Sequence, residues 1–160
     1  MGNEKFPRWI STSEEVMLRE VAKGLYVGGC ESVRRLQGEP WAAVIDLYGT
    51  SGEPARAQSY DGVIRAPILL RWPFDDNIAI PSGLLDAVSH LVAGNIRSGP
   101  ILIHCQAGLS RSASVAYALL RTLGELTPKQ ALSRVYAVKG FPRRPTLGSA
   151  EKWAKGHGKK

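Results

Sequence analysis

Residues 101–114 read ILIHCQAGLSRSAS, and they contain the clearest structural pattern in the sequence. Its first three residues form a short apolar run that predicts a buried strand. A loop with one cysteine, one glycine and one arginine follows, and a helix is predicted from about Ser112 to Leu123. A strand that runs straight into a helix is typical of an α/β domain.

The loop between this strand and this helix is suited to binding a phosphate dianion. Backbone N–H groups in such a turn point inward, and the first helical turn leaves further N–H groups unpaired. Gly108 permits the tight, left-handed part of the turn. Arg111 offers a planar fork of donors that can bind two phosphate oxygens at once. The predicted phosphate-binding residues are Gln106, Ala107, Gly108, Leu109, Ser110 and Arg111.

Cys105 lies at the floor of this loop and is the candidate nucleophile. Thiols at helix N-termini beside cationic side chains are thiolates at neutral pH, and we expect the same of Cys105. A thiolate there can attack a phosphate monoester and form a cysteinyl-phosphate, which water then hydrolyses. We predict that Ser112 donates its hydroxyl to the leaving sulfur and that His104 orients the loop. This chemistry requires no metal and no cofactor, and we expect neither.

Two other interpretations of the loop fit the residues less well. Cysteine is among the most buried residue types, so a cysteine at a strand end can be inert packing. A nucleotide-binding P-loop would need a Lys-Ser/Thr pair after its glycines, and residues 101–114 lack that pair. A glycine, an arginine and serines within one loop favour phosphate chemistry.

The pattern HCxxGxxR, between a strand and a helix, resembles the active-site loop of the cysteine-dependent protein phosphatases. The form HCQAGLSRSAS is most similar to the dual-specificity branch, and residues 24–28, GLYVG, resemble the opening segment of that family's domain. The resemblance covers about residues 25–147. It implies an α/β fold with a central, mostly parallel sheet of about five strands and helices on both faces. It also implies hydrolysis of phosphotyrosine, and of phosphoserine or phosphothreonine if the pocket is shallow enough.

The resemblance also supplies a general acid. In the family, an aspartate on a mobile loop protonates the leaving group. Residues 72–76, WPFDD, resemble the corresponding loop of the phosphatases of regenerating liver, in which the second aspartate is the acid. Asp76 is therefore the predicted acid, and Asp75 is a supporting neighbour. The residues alone leave open a surface turn without a catalytic role.

The resemblance to the regenerating-liver group has limits. That group has alanine after the arginine and ends in a prenylation box, whereas this chain has Ser112 and ends in GHGKK. We therefore expect neither that group's slow turnover nor its lipid anchor. Gly2 does not predict myristoylation, since Phe6 stands where that motif has Ser or Thr. The sequence predicts no secretory signal and no membrane span.

The composition predicts one domain and an anionic substrate. The 160 residues are 44% hydrophobic, which suits a single catalytic domain over residues 1–160, with a core of about 18–150 between an N-terminal arm and a basic tail. We expect a monomer. Cys30 and Cys105 give no disulfide framework, which predicts a reducing, cytoplasmic setting. The formal net charge of +7 suits a phosphorylated protein, and the lack of a basic stripe interleaved with aromatic residues argues against nucleic acid.

The rest of the chain predicts a scaffold of short elements. Strands are predicted within residues 20–29, 41–47 and 62–68, and helices at 32–37, 81–97 and 127–138 and after a Thr146 cap, with Trp153 packing inward. Asp46, at a strand end, is interpreted as a strand-end or loop-capping residue rather than a catalytic acid. Thr127 and Gln130 predict a capping box. Arg143 and Arg144 either face the substrate or remain in a solvated turn.

The leading hypothesis is a metal-independent phosphatase acting on phosphotyrosine, and on phosphoserine or phosphothreonine, in proteins. A second is the same chemistry on a phosphoinositide, a nucleic-acid 5′-phosphate or a phosphosugar. The loop lacks the lysines, at Gln106 and Leu109 or nearby, that phosphoinositide phosphatases of this superfamily use. A phosphoprotein-binding pseudophosphatase is a third hypothesis, and a sulfur-transfer enzyme is a more distant fourth.

Overall fold

The computed structural model describes residues 18–29, 40–48, 66–105, 109–136 and 142–157. Outside these ranges lie the predicted N-terminal arm, Cys30, the predicted helix at 32–37, most of the predicted strand at 62–68 and three loop residues, Gln106, Ala107 and Gly108.

A five-stranded sheet forms the centre of the described structure. Its strands are β1 (Arg19–Ala22), β2 (Leu25–Gly28), β3 (Ala43–Asp46), β4 (Ile68–Arg71) and β5 (Ile101–His104), in the spatial order β1-β2-β5-β3-β4. β1 pairs antiparallel with β2, and the other pairs are parallel. The prediction of an α/β fold with a mostly parallel, five-stranded sheet is confirmed.

The strand that precedes Cys105 is the middle strand of the sheet. β5 lies between β2 and β3, and all four of its residues are buried. The pairing continues past its end, since the Cys105 N–H donates to the Gly28 carbonyl at 3.3 Å and the Leu47 N–H donates to the His104 carbonyl at 2.9 Å. The backbone that carries the cysteine is therefore bonded on both sides.

Four helices are described: α1 (Ser82–Asn95), α2 (Arg111–Thr122), α3 (Pro128–Val135) and α4 (Arg144–His157). α2 is buried from Arg111 to Leu120 and contacts the other three. All four share one apolar core with the sheet face that carries Ile45, Ile101 and Ile103. None of these described helices has the length and apolar character that a membrane span requires.

Two helix boundaries correct the sequence predictions. α4 begins at Arg144, so Thr146 lies in its first turn instead of capping it, and the Thr146 hydroxyl donates to the Ile78 carbonyl at 2.8 Å. α3 begins with the predicted capping box of Thr127 and Gln130. It ends at Val135 rather than near Val138, because Tyr136 adopts an extended conformation with ψ at 134°.

Glu151 holds α4 against α2. Arg121 donates from Nε and Nη2 to the two carboxylate oxygens of Glu151, both at 2.8 Å, and the Tyr117 hydroxyl donates to the same group at 2.6 Å. These bonds, led by those from Arg121, lower the pKa of Glu151. At the far end of α4, Trp153 is buried as predicted and donates its Nε1–H to Asp86 on α1 at 2.9 Å.

Candidate active site

The sulfur of Cys105 lies at the N-terminus of α2. The Ser112 backbone N–H donates to Sγ at 3.4 Å, and the Ser112 Oγ lies 3.2 Å from the same sulfur. The cysteine is 2% exposed. The backbone N–H and the hydroxyl of one residue therefore converge on the sulfur at a helix N-terminus, which is an arrangement that stabilises negative charge. The structure thus brings together Cys105 and Ser112, as the sequence analysis predicted.

Arg111 is the first residue of α2 and is buried. Its Nη1 donates to the Phe74 carbonyl at 3.0 Å. Phe74 belongs to the loop of residues 72–77, which carries the predicted acid. The phosphate-loop arginine and the acid loop are therefore joined directly, although 37 positions separate them in sequence.

Among the other predicted phosphate-binding residues, Leu109 and Ser110 are described. Ser110 is buried, and its Oγ accepts the backbone N–H of Arg143 at 3.0 Å. The placement of Gln106, Ala107 and Gly108 stays a prediction. Within the described residues, no group of three or more His, Cys, Asp or Glu side chains is placed to hold a metal ion.

The acid loop is anchored on three sides. The Trp72 N–H donates to the Asp46 carbonyl at 2.9 Å, which continues the β3–β4 pairing, and Phe74 is fully buried. Beyond the aspartates, the Ile78 carbonyl accepts from Thr146, and the Ile80 N–H donates to Ser149 Oγ at 2.8 Å. Both ends of the loop are thereby fixed to the sheet and to α4, which leaves Asp75 and Asp76 at its partly exposed tip.

Asp76 makes two contacts at this tip. Its Oδ1 accepts the Asn77 N–H at 2.9 Å, and its Oδ2 lies 3.1 Å from Arg143 Nε. Asn77 adopts the left-handed conformation with φ at 65°, which asparagine tolerates better than most residues. The structure therefore places Arg143 beside the predicted acid and beside Ser110 of the phosphate loop, and this favours the first of the two interpretations of Arg143.

His104 and Asp46 form a buried pair next to the cysteine. His104 Nδ1 lies 3.4 Å from the Cys105 carbonyl, and Nε2 lies 3.4 Å from Asp46 Oδ1. Asp46 also accepts the Tyr48 N–H at 2.9 Å, which agrees with its predicted loop-capping role. Burial raises the pKa of Asp46 to about 6, against the opposing effects of the Tyr48 N–H, Arg71 and Arg111. Burial also lowers the pKa of His104 to about 3.

Arg19 is a buried cation that the sequence analysis missed. It lies on β1 opposite Val27, is 9% exposed, and donates from Nη2 to the Val135 carbonyl at 2.8 Å. Burial lowers the pKa of Arg19, and electrostatic attraction to Cys105 opposes that effect. Arg19 is therefore a second buried guanidinium, besides Arg111, within electrostatic reach of Cys105. Strand alternation could have indicated this burial from the sequence, because Arg19 and the buried Val21 share one face of β1.

Known proteins resemble this chain in sequence and in fold. No protein-family model matches the chain. Over 103 residues it is 28% identical to the mouse (Mus musculus) protein named Dual specificity protein phosphatase 2, a match that covers 63% of this chain and 31% of that protein. The chain thus spans about a third of the length of that relative.

Solved structures extend the match to most of the chain. A mouse putative dual specificity phosphatase, solved with zinc tungstate, has a TM-score of 0.69 at 20% identity and covers 92% of this chain and 91% of its own. Human DUSP28 has a TM-score of 0.68 at 22% identity, and the match covers 87% of this chain and 93% of that structure. PTPMT1 in complex with PI(5)P has a TM-score of 0.66 at 17% identity, and the match covers 87% of this chain and 95% of that structure.

These matches define the fold as that of the protein tyrosine phosphatase-like α/β domains. In sequence the chain is similar to a dual-specificity phosphatase, and it shares its fold with solved structures of such phosphatases.

Proposed function

We propose that this protein is a phosphatase that hydrolyses phosphate monoesters through a cysteinyl-phosphate on Cys105. The observation that carries the proposal is the position of the Cys105 sulfur, within 3.4 Å of both the N–H and the hydroxyl of Ser112 at the start of a buried helix. Arg111, the first residue of the same helix, is also buried. A nucleophile, an anion-binding helix start and a bidentate cation therefore share one loop.

The first step forms a sulfur–phosphorus bond. The Cys105 thiolate attacks phosphorus in line with the ester oxygen, the P–O bond breaks, and the leaving oxygen takes a proton from Asp76. Arg111 and the loop N–H groups bind the three remaining phosphate oxygens, on which negative charge is concentrated. The Arg111–Phe74 bond fixes the acid loop relative to this site.

The second step releases phosphate. Asp76, now a carboxylate, takes a proton from water as the water oxygen attacks phosphorus, and the S–P bond breaks with its electron pair on sulfur. Ser112 Oγ is 3.2 Å from that sulfur and donates a hydrogen bond, without transferring its proton, to the thiolate as it leaves. The cycle returns the enzyme to its starting state, without a co-reactant other than water.

The proposed substrates are phosphoproteins, with phosphotyrosine first and phosphoserine or phosphothreonine as further targets. A phosphoinositide is a second candidate, since PTPMT1, solved in complex with PI(5)P, shares the fold at a TM-score of 0.66. We would measure turnover of phosphotyrosyl and phosphothreonyl peptides and of PI(5)P side by side in a chelator. The proposal predicts fastest turnover of the phosphotyrosyl peptide. Faster turnover of PI(5)P would favour the second candidate, and no turnover of any of the three would argue against phosphatase activity.

Asp76→Asn is expected to lower kcat by about 10²-fold or more on an alkyl phosphate but far less on an aryl phosphate with a good leaving group. The reason is that only a poor leaving group needs a proton as the P–O bond breaks. Asp75→Asn is the matched control, because it changes the adjacent carboxyl group of the same loop. Plots of kcat against leaving-group basicity for both variants identify which aspartate is the general acid. A steep slope in the Asp75→Asn variant alone would assign that role to Asp75.

A further inference from the structure

Three polar residues lie side by side at the C-terminal ends of β4, β3 and β5. The strand register pairs Asp46 with Arg71 on one side and with His104 on the other. Asp46 Oδ2 lies 3.6 Å from Arg71 Nε, and Asp46 Oδ1 lies 3.4 Å from His104 Nε2. By alternation with Ile45 and Ile103, the row occupies the sheet face opposite the four described helices. It connects a partly exposed arginine to a fully buried histidine next to the nucleophile.

Each ring nitrogen of His104 faces an acceptor oxygen. Nδ1 is 3.4 Å from the Cys105 carbonyl, and Nε2 is 3.4 Å from the Asp46 carboxyl group. A carbonyl oxygen only accepts, so Nδ1 must carry a hydrogen in order to bind it. A neutral imidazole has a single N–H, and Asp46 and Cys105 therefore compete for it unless a second hydrogen lies between Oδ1 and Nε2.

We propose that Asp46 is a positioning residue of this site. The hydrogen that it shares with His104 determines whether Nδ1 or Nε2 of the imidazole is the donor. When the pair holds two hydrogens, one lies between Asp46 and Nε2, and the Nδ1–H donates to the Cys105 carbonyl. When the pair holds one, the carboxylate is the stronger acceptor and takes the Nε2–H. The Cys105 carbonyl, at the base of the phosphate loop, then loses this donor.

The charges around the pair set the pH of the change. Arg71 on β4 and Arg111 on α2 face the Asp46 carboxyl group and favour its charged form, as does the Tyr48 N–H, whereas burial favours the neutral form and dominates. Because burial raises the pKa of Asp46 to about 6 and lowers that of His104 to about 3, the histidine stays uncharged while Asp46 titrates. Besides these groups, the ionisable Cys105 borders His104 directly. The two-hydrogen state therefore prevails below about pH 6 and the one-hydrogen state above it.

The direct test is the ¹⁵N spectrum of the histidine ring nitrogens between about pH 5 and about pH 8. His104 is assigned by replacing the other two histidines, His90→Gln and His157→Gln. The proposal predicts that the hydrogen moves from Nδ1 to Nε2 with a midpoint near pH 6. A His104 spectrum that is constant over this range overturns it.

Two variants sharpen the spectrum test. Arg71→Gln removes a cation from Asp46 Oδ2, so the midpoint should move to higher pH. In Asp46→Asn the amide oxygen must accept the Tyr48 N–H from the Oδ1 position, so His104 should keep its hydrogen on Nε2 at every pH. Asp86→Asn is the matched control, because Asp86 Oδ1 lies 3.3 Å from a different histidine, His157. It should leave the His104 transition unchanged, and a shift equal to that of Arg71→Gln would contradict the proposal.

The consequence for turnover rests on the proposed phosphatase function. In Asp46→Asn, kcat/KM relative to the unmodified protein should fall roughly 3- to 10-fold at about pH 5.5, the effect of one hydrogen bond, and approach equality at about pH 8. A ratio that does not change with pH overturns the link from Asp46 to the loop. Unmodified protein that is inactive but shows the His104 transition would support the pair and count against the phosphatase function instead.

Discussion

Cys105→Ser is expected to lower kcat/KM for an aryl phosphate by about 10⁴-fold or more. A serine hydroxyl stays protonated at neutral pH and is therefore a far weaker nucleophile than a thiolate. Ser112 and Arg111, which remain, should still bind phosphate. Steady-state rates in the presence of a chelator, together with a binding measurement for a phosphopeptide, would separate lost chemistry from lost binding.

Cys30→Ser is the matched control for this experiment, because Cys30 is the only other cysteine in the sequence. It should keep most of the activity. If Cys105→Ser retained more than about a hundredth of the rate, a sulfur nucleophile at this position would be ruled out. If both variants were inactive, the loss would reflect the fold rather than the reaction.

Arg111→Lys should lower kcat by about 10²- to 10³-fold, the usual cost of removing a preorganised donor to developing charge. Lysine keeps the positive charge but cannot present two parallel N–H groups to phosphate. It would also lose the bond from Nη1 to the Phe74 carbonyl, which measures 3.0 Å and joins the phosphate loop to the acid loop. The measurement is kcat and KM for the Arg111→Lys variant and for the unmodified protein on the same aryl phosphate.

Arg144→Lys is a suitable comparison, since Arg144 is exposed at the start of α4 and contacts neither loop in the described hydrogen bonds and ion pairs. Its kinetics should match those of the unmodified protein. An Arg111→Lys enzyme with unchanged kcat and a raised KM would show that the arginine binds the ground state and the transition state equally.

The sequence predicts the fold well because the decisive segments are local. The apolar run of β5 leads within a few residues into α2, and a strand followed at once by a helix has few possible arrangements in a sheet. The same local reasoning finds Cys105, Arg111 and Ser112, which lie within eight consecutive residues. The capping box at Thr127 is likewise a pattern of four residues.

Contacts between segments that are distant in the sequence were harder to predict. Asp46 meets His104 because β3 and β5 pair in parallel with one particular register, and no local pattern specifies that register. Arg143 reaches Asp76 across 67 positions through a turn whose composition fits a solvated surface equally well. From its sequence neighbours alone, Arg19 is expected to be a polar residue on an edge strand. Its burial depends on α3, where the Val135 carbonyl accepts its hydrogen bond.

The mechanism requires a phosphoryl group on the Cys105 sulfur during turnover, and this intermediate can be trapped. Ser112→Ala removes the hydroxyl 3.2 Å from Sγ, so breakdown of the cysteinyl-phosphate should slow more than its formation. Rapid quenching of this variant with an aryl phosphate, followed by mass spectrometry, should find one phosphoryl group on the peptide that contains Cys105. Turnover with no such adduct, or a phosphoryl group on another residue, would contradict the mechanism.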